Sequence, residues 1–254
     1  MAMNEINKRR FLLHAKTQEY QNNLVEAVLS IQQAVEKCKN PTVSFSFGKD
    51  SLVCMDMARR IKPDILVINI DRGYGGDVPD ALSTYSEYFF KNKINFRQVR
   101  TPQSIFEIYH EMGDLHKINK DRVKQNLIAG VKKAIVEYNI DCSIIGLRSQ
   151  ESTGRSKLKN KGNFYYTKSD GVFHCCPVLN WTWEQIWAYI ISNDLPYLEW
   201  YDLEAKADGY EYSRYSNWAG LFMFETGRII KLKKNYPDLF NKFASEFPEV
   251  REYS

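Results

Sequence analysis

The stretch Ser44–Ser51, reading SFSFGKDS, joins an apolar run to a helical pattern through a Gly-Lys-Asp-Ser turn. A Gly-Lys pair after a strand suggests a loop that grips a nucleotide's phosphates. The P-loop spelling, however, needs a Gly five residues before the Gly-Lys and a Ser or Thr directly after the Lys. Val43 stands five residues before Gly48, and Asp50 follows Lys49, so this is not a Walker loop. Its residue types still suit an anion. Gly48 lets the backbone come close to a ligand, and the N–H groups opening the next helix face it with the positive end of the dipole. Ser46 and Ser51 offer hydroxyl donors, Lys49 adds charge, and Asp50 is a candidate to hold a magnesium ion that bridges phosphates. From the octapeptide alone, an ordinary strand-to-helix turn capped by Ser or Asp is the competing reading.

Two further groups stand at comparable places. Asp71 ends the apolar run Ile65–Ile70, and Arg148, Glu151 and Arg155 follow the short run Asp141–Gly146. Arginines are planar, permanently charged donors suited to bidentate contacts with phosphate or sulfate. Glu151 is expected to pair with one of them and orient it. Residues 148–170 hold Arg148, Arg155, Lys157, Lys159, Lys161 and Lys168 against Glu151 and Asp170. With Gly154 and Gly162, this reads as a mobile basic loop over the site. His110, His116 and His174 are available as bases, yet nothing singles one out. Arg214, amid the aromatics of Tyr210–Trp218, is a candidate stacking or phosphate contact.

The elements that must position these residues follow from periodicity. Apolar residues at near-helical spacing predict a helix over 17–38, which Pro41 stops. Thr42–Phe47 reads as a buried strand, and Leu52–Arg60 as a helix with Asp50 or Ser51 as N-cap. Ile65–Ile70 is a mostly β-branched strand buried on both faces. Helices are expected at Pro79–Lys91, Asn119–Tyr138 and Thr182–Asp194, and strands at Asn95–Val99, Asp141–Gly146 and Val172–Cys176. Such alternation implies a parallel sheet with right-handed crossovers. The expected architecture is three-layer α/β/α, with an N-terminal helical extension (1–40), a nucleotide-binding domain (41–200) and a helical cap (201–254). In such a sheet, ligands bind beyond the carboxyl ends of the strands, where SFSFGKDS sits.

Bulk properties narrow the class. The chain has 254 residues, 44% hydrophobic and 26% charged, with a net charge of +4. That charge permits an anionic ligand without announcing a nucleic-acid protein. The longest apolar stretches fall far short of the roughly 20 residues that span a bilayer, and MAMNEINKRR lacks a secretory h-region. A cytoplasmic protein with no membrane partner is expected. Five cysteines with no C-x-x-C argue against a disulfide framework and against an iron–sulfur or zinc site.

Four segments together resemble one family. Ser46-Phe47-Gly48-Lys49-Asp50-Ser51 is similar to the SGGxDS loop of the PP-loop ATP pyrophosphatases, with Phe47 at the first motif Gly. Ile70-Asp71-Arg72-Gly73 resembles a strand-end Asp-Thr-Gly. Residues Gly146–Arg155, reading GLRSQESTGR, resemble G-x-R-x-x-E-S-x-x-R. Pro177–Ile190 resembles P-[LIV]-x-x-W-T-x-x-x-[VI]-W-x-Y-I. The order and intervals match the branch that includes phosphoadenylyl-sulfate (PAPS) reductase, the ATP sulfurylase small subunit and a DNA phosphorothioation protein.

The resemblance implies ATP and Mg2+ as ligands and cleavage of ATP between its α- and β-phosphates. It places Ser46, Gly48, Lys49, Asp50 and Ser51 around the pyrophosphate, with Ser44 and Phe47 in the same nucleotide-binding set and Asp50 near the metal. Asp71 would face the crevice, Gly146 would pass close to the adenine, and Arg148, Glu151 and Arg155 would complete the site. Lys49, Asp50, Arg148 and Arg155 are the catalytic candidates, while Trp181, Trp187 and Tyr189 are expected to pack the following helix on the sheet.

Reductase activity is disfavoured, because the family's nucleophilic thiol lies near the C-terminus and no cysteine follows Cys176. Three readings remain. One is an ATP pyrophosphatase that adenylylates an unknown acceptor, in sulfur transfer or nucleic-acid modification, with a sulfur-donor partner. Another is a sulfate adenylyltransferase-like subunit with a GTPase-like partner. The last is a non-catalytic nucleotide sensor or interaction subunit. A homodimer through the long N-terminal helix is open in all three.

Overall fold

The computed structural model describes residues 3–78, 80–113, 115, 119–213, 215, 218–219 and 227–253. Two helices, α1 (Glu5–His14) and α2 (Gln18–Lys37), precede β1 (Pro41–Ser44). Then come α3 (Lys49–Ile61), β2 (Leu66–Asp71), α4 (Asp80–Lys91), β3 (Phe96–Arg100), α5 (Ile105–Met112), α6 (Lys120–Glu137) and β4 (Cys142–Ile145). After β4 the chain runs through the one-turn helix α7 (Thr153–Ser156) into the hairpin of β5 (Phe164–Thr167) and β6 (Val172–Cys175). Among the described residues the helices that follow are α8 (Trp183–Ser192), α9 (Trp200–Asp208), α10 (Ile229–Asn235) and α11 (Pro237–Glu246).

The six strands form one sheet in the order β3-β2-β1-β4-β6-β5. All neighbours are parallel except β5, which runs antiparallel to β6. The sheet is thus parallel, as expected, with one antiparallel strand at its edge. Alternation along β2 shows how both faces are used, since successive side chains of a strand point to opposite sides. Val67 belongs to the main core, while Leu66, Ile68 and Ile70 pack with Val99 and Ala134 beneath α6. The main core is continuous from Met3 to Val250, so α1 and the C-terminal helices share it with the sheet. Trp181, Trp187 and Tyr189 are buried there, as expected of packing residues. No described helix is long and apolar enough to cross a membrane.

The chain moves outward from β1 to β2 to β3 and then returns to place β4 on the other side of β1. The reversal opens a crevice at the carboxyl ends of β1 and β4, the switch point at which such sheets hold ligands. Strand β1 ends at Ser44 rather than at Phe47, because the backbone turns over at Phe47 with φ 58°. That left-handed conformation costs a residue with a Cβ about 1–2 kcal/mol. Packing offsets the cost. Phe47 is 1% exposed, lies against Phe45 at 5.2 Å and stacks on Tyr85 at 5.9 Å, and its carbonyl accepts the Tyr85 hydroxyl at 3.2 Å.

Helix α3 then starts at Lys49 with Gly48 as N-cap, not with Asp50 or Ser51. The Asp50 side chain is drawn away by two cations, and the Ser51 hydroxyl donates to the Gly48 carbonyl at 2.8 Å. Phe47→Ala should cost roughly 3–5 kcal/mol of stability. Phe47→Gly, which relieves the strained φ, should cost about 1 kcal/mol less. Urea unfolding of both variants checks this; a Gly variant less stable than the Ala variant would contradict it.

Candidate functional site

A cavity of about 750 Å³ lies over the carboxyl ends of β1, β2 and β4. Ser44, Ser46, Gly48, Lys49, Asp50 and Ser51 line it from the first strand end. Gly146, Glu151, Ser152 and Arg155 line it from the β4 side, and Tyr201 and Tyr215 from the C-terminal region. Phe47 does not line the cavity; it anchors the loop in the core. Ser44 is tied to the neighbouring strand, its hydroxyl 2.7 Å from that of Ser143.

The centre of the site is a buried ion cluster. Asp50 Oδ2 is 3.1 Å from Lys49 Nζ, and Asp50 Oδ1 accepts from Arg148 Nε at 2.5 Å. Lys49 and Arg148 are only 2% and 5% exposed. Burial alone would raise the Asp50 pKa, but the charges of Lys49 and Arg148 overcome it and hold the carboxyl below its ordinary value. Glu151 stands behind Arg148: its Oε1 is 3.8 Å from the guanidinium, and its Oε2 accepts the Arg148 backbone N–H at 3.4 Å and pairs with Arg155. Glu151 thus sits between the two arginines, in the orienting position expected of it. Arg148 is turned toward Asp50 and is not among the residues lining the cavity, whereas Arg155 is.

The loop is held by its own hydroxyls. Ser51 Oγ accepts the Ser46 N–H at 3.1 Å and lies 3.3 Å from Ser46 Oγ, so the pair closes the turn. Gly146 is required by close approach. A Cβ there would sit 2.6 Å from both Asp50 C and Ser51 N, so β4's exit is pressed against the first turn of α3. That contact with the loop backbone demands the glycine here.

Three residues distant in sequence support the site, Tyr201 and Tyr215 on its walls and Ser213 behind Lys49. The Tyr201 hydroxyl accepts the Lys49 N–H at 2.9 Å, and the Ser213 carbonyl accepts Lys49 Nζ at 3.5 Å. The Tyr215 hydroxyl donates to Asp77 Oδ1 at 2.9 Å and accepts the Val78 N–H at 3.1 Å. Asp77 had no sequence signal, standing in the turn after the motif that carries Asp71. Desolvation pushes it up to about 6, only partly countered by Tyr215 and Arg72. Asp71 itself does not line the cavity. Its Oδ1 accepts the Gly73 N–H at 2.8 Å, which makes it a turn-former, and Arg72 and Asp77 take the wall instead.

Other expectations fall differently. The stretch 148–170 is ordered into short helical turns and strand β5 rather than an open loop, with Lys157, Lys159, Lys161 and Lys168 exposed. His110 pairs with Glu246 and His174 with Asp170, and neither lines the cavity. His116 and Arg214 lie outside the described residues. All five cysteines are buried. Burial pushes Cys175 up to about 12 and Cys176 up to about 11.

As a donor set, the site suits an anion: the opening amides of α3, Lys49 and Arg155 converge on one cavity. Among the described residues no three His, Cys, Asp or Glu side chains gather as a metal cage. Magnesium in nucleotide sites asks for only one or two carboxylates beside the phosphates, and Asp50 on the cavity wall fits that demand.

The match to known proteins covers most of the molecule. A phosphoadenosine 5'-phosphosulfate reductase of Vibrio cholerae is 27% identical over 162 residues, 62% of this chain and 61% of that protein. This chain therefore spans about three-fifths of the length of that relative. The reductase of Proteus mirabilis is 28% identical over 78% of this chain and 75% of its own. An uncharacterized protein of Methanocaldococcus jannaschii is 28% identical over 84% of this chain and 50% of its own. Two solved structures share the fold. PAPS reductase from Candida auris has a TM-score of 0.57 at 19% identity, covering 80% of this chain and 94% of that one. The U34-tRNA thiolase NcsA from Methanococcus maripaludis has a TM-score of 0.53 at 15% identity, covering 92% and 79%. The family described as phosphoadenosine phosphosulfate reductase domain matches residues 40–216, well over half of the sequence, and the chain belongs to that family.

Proposed function

We propose that this chain is a PP-loop ATP pyrophosphatase that cleaves ATP between its α- and β-phosphates and transfers the adenylyl group to an acceptor. The observation that supports this reading best is the Lys49–Asp50–Arg148 cluster, set under the first turn of α3 at the switch point of the sheet. Two buried cations on one carboxylate leave a net positive charge beneath an anion-binding helix end. In this reading the α3 amides and Lys49 hold the pyrophosphate moiety. Arg155 meets the phosphates from the opposite wall, and Arg148 acts through Asp50 as a positioning residue. When bound, magnesium would neutralise charge developing on the leaving pyrophosphate, with Asp50 its protein contact. Lys49 and the loop amides, fixed before the ligand arrives, stabilise the same charge without reorganisation.

The alternative suggested by the relatives' names, reduction of a phosphosulfate, needs a reachable thiolate. Burial disfavours that for the cysteines of this chain, whose thiols lie within the fold. The acceptor, and any sulfur-donor or GTPase-like partner, belong to the same proposal.

With α-labelled ATP and magnesium, the products should be AMP and pyrophosphate, and Asp50→Asn should lower the rate by about a hundredfold or more. Formation of ADP would contradict the reading, and ATP binding without turnover would favour a sensor. A second expectation concerns pH. As pH rises through about 6, Asp77 gains a negative charge in the cavity beside Arg72, Tyr215 and Asp71. ATP affinity should then fall by roughly fivefold relative to Asp77→Asn. Comparing wild type with that variant from pH 5 to 7.5 cancels the ligand's own protonation, and parallel profiles would contradict the assignment.

A further inference from the structure

We propose that Arg72 is the anion-binding residue of an acceptor subsite separate from the phosphate loop, and that the acceptor group is an oxyanion: sulfate, phosphate or carboxylate. The proposal rests on the adenylyl-transfer reading above.

Arg72 directly follows β2 and lines the same cavity as the loop, but from the next strand end. Among the described residues, the other two arginines at the site are already engaged, Arg148 with Asp50 and Glu151 and Arg155 with Glu151. Arg72 differs. Among the described residues its guanidinium makes no hydrogen bond. Burial lowers its pKa, with the charge of Asp77 opposing that shift. Asp77 does not close an ion pair with it; one Asp77 oxygen is taken by the Tyr215 hydroxyl. A partly buried planar cation with no acceptor from the described residues favours an anionic partner over solvent alone. A group bringing two acceptor oxygens in a plane satisfies that geometry best.

Space and chemistry agree with this placement. The cavity of about 750 Å³ lies in the upper part of the range for small-molecule sites, roughly 300–1,000 Å³. In the transfer, a lone pair on the acceptor oxygen forms a bond to the α-phosphorus. The bond from that phosphorus to the oxygen bridging to the β-phosphorus breaks, and pyrophosphate leaves with the electron pair. Nothing is oxidised or reduced. An acceptor that arrives ionised has no proton to lose, so the step needs no general base, and no histidine is among the described residues lining the cavity.

The test uses the protein with magnesium and α,β-methylene-ATP, which keeps the loop occupied without turnover. Sodium sulfate is titrated into that complex by calorimetry at constant ionic strength, with phosphate and acetate in parallel arms; the tightest of the three names the acceptor class. Sulfate should bind, and Arg72→Ala should weaken it by about tenfold or more. Nucleotide affinity should change by less than about threefold. Arg72→Lys, which keeps the charge but not the fork, should recover only part of the loss. Unchanged sulfate affinity in Arg72→Ala overturns the proposal, as does an equal loss of nucleotide affinity, which would put Arg72 among the nucleotide's ligands. A wild-type complex that binds the nucleotide but none of the three anions overturns the Arg72 assignment alone. Failure to bind the nucleotide removes the adenylyl-transfer reading, and the proposal with it.

Discussion

Asp50 holds Lys49 on one oxygen and Arg148 on the other, inside the fold and under the first turn of α3. Burying three charges is expensive, and the attraction among them repays the cost only when the geometry is good and the remaining donors are satisfied. The surrounding structure meets that condition. Glu151 steadies Arg148 from behind, and the Ser213 carbonyl and the ring of Tyr201 flank the Lys49 ammonium. The cluster joins the end of β1 to the end of β4, so the sheet order that makes those strands neighbours is a precondition for it. Gly146 is the steric counterpart of that junction, since only a residue without a side chain lets the β4 exit lie against Asp50 and Ser51.

The C-terminal region takes part in the site as well as in the core. Tyr201, Ser213 and Tyr215 reach the loop and the turn after β2 across more than a hundred residues of sequence. Tyr201 accepts from the Lys49 amide, a group that opens α3 and has no intrahelical partner. Helix α9 is itself anchored through buried pairs, Asp202 with Tyr210 at 2.5 Å and Glu204 with Arg228. The walls of the cavity are therefore set by long-range packing, while its floor is set by the local chemistry of one loop.

That division explains what could be read in the sequence. Strands β1, β2 and β4 were legible because their apolar runs are short, bounded and followed by polar motifs. The pairing of Glu151 with the arginines three residues before it and four after it followed from local spacing. The edge strand β5 was hidden because Phe164–Thr167 sits in a lysine-rich stretch that reads as a loop, and its pairing with β6 is a tertiary fact. Helix α5 carries a legible signal of its own in the Ser104/Glu107 capping box. The N-cap at Gly48 went unforeseen because Asp50, a strong capping residue by type, is claimed by Arg148 from 98 positions away. Asp71 and Asp77 exchanged places for a similar reason. The first closes its own turn, and the second is carried to the cavity by Tyr215.

The most direct test of this account is a double-mutant cycle joining Asp50→Asn and Arg148→Met, read as unfolding free energy in urea. If the buried cluster organises the site, Asp50→Asn leaves two buried cations without their anion and costs about 3–5 kcal/mol, while Arg148→Met leaves the Lys49–Asp50 pair in place and costs less. The two changes together should then cost at least about 2 kcal/mol less than their sum, within the range found for residues in direct contact. Additive effects would mean that Asp50 and Arg148 are not coupled, and the central claim would fail.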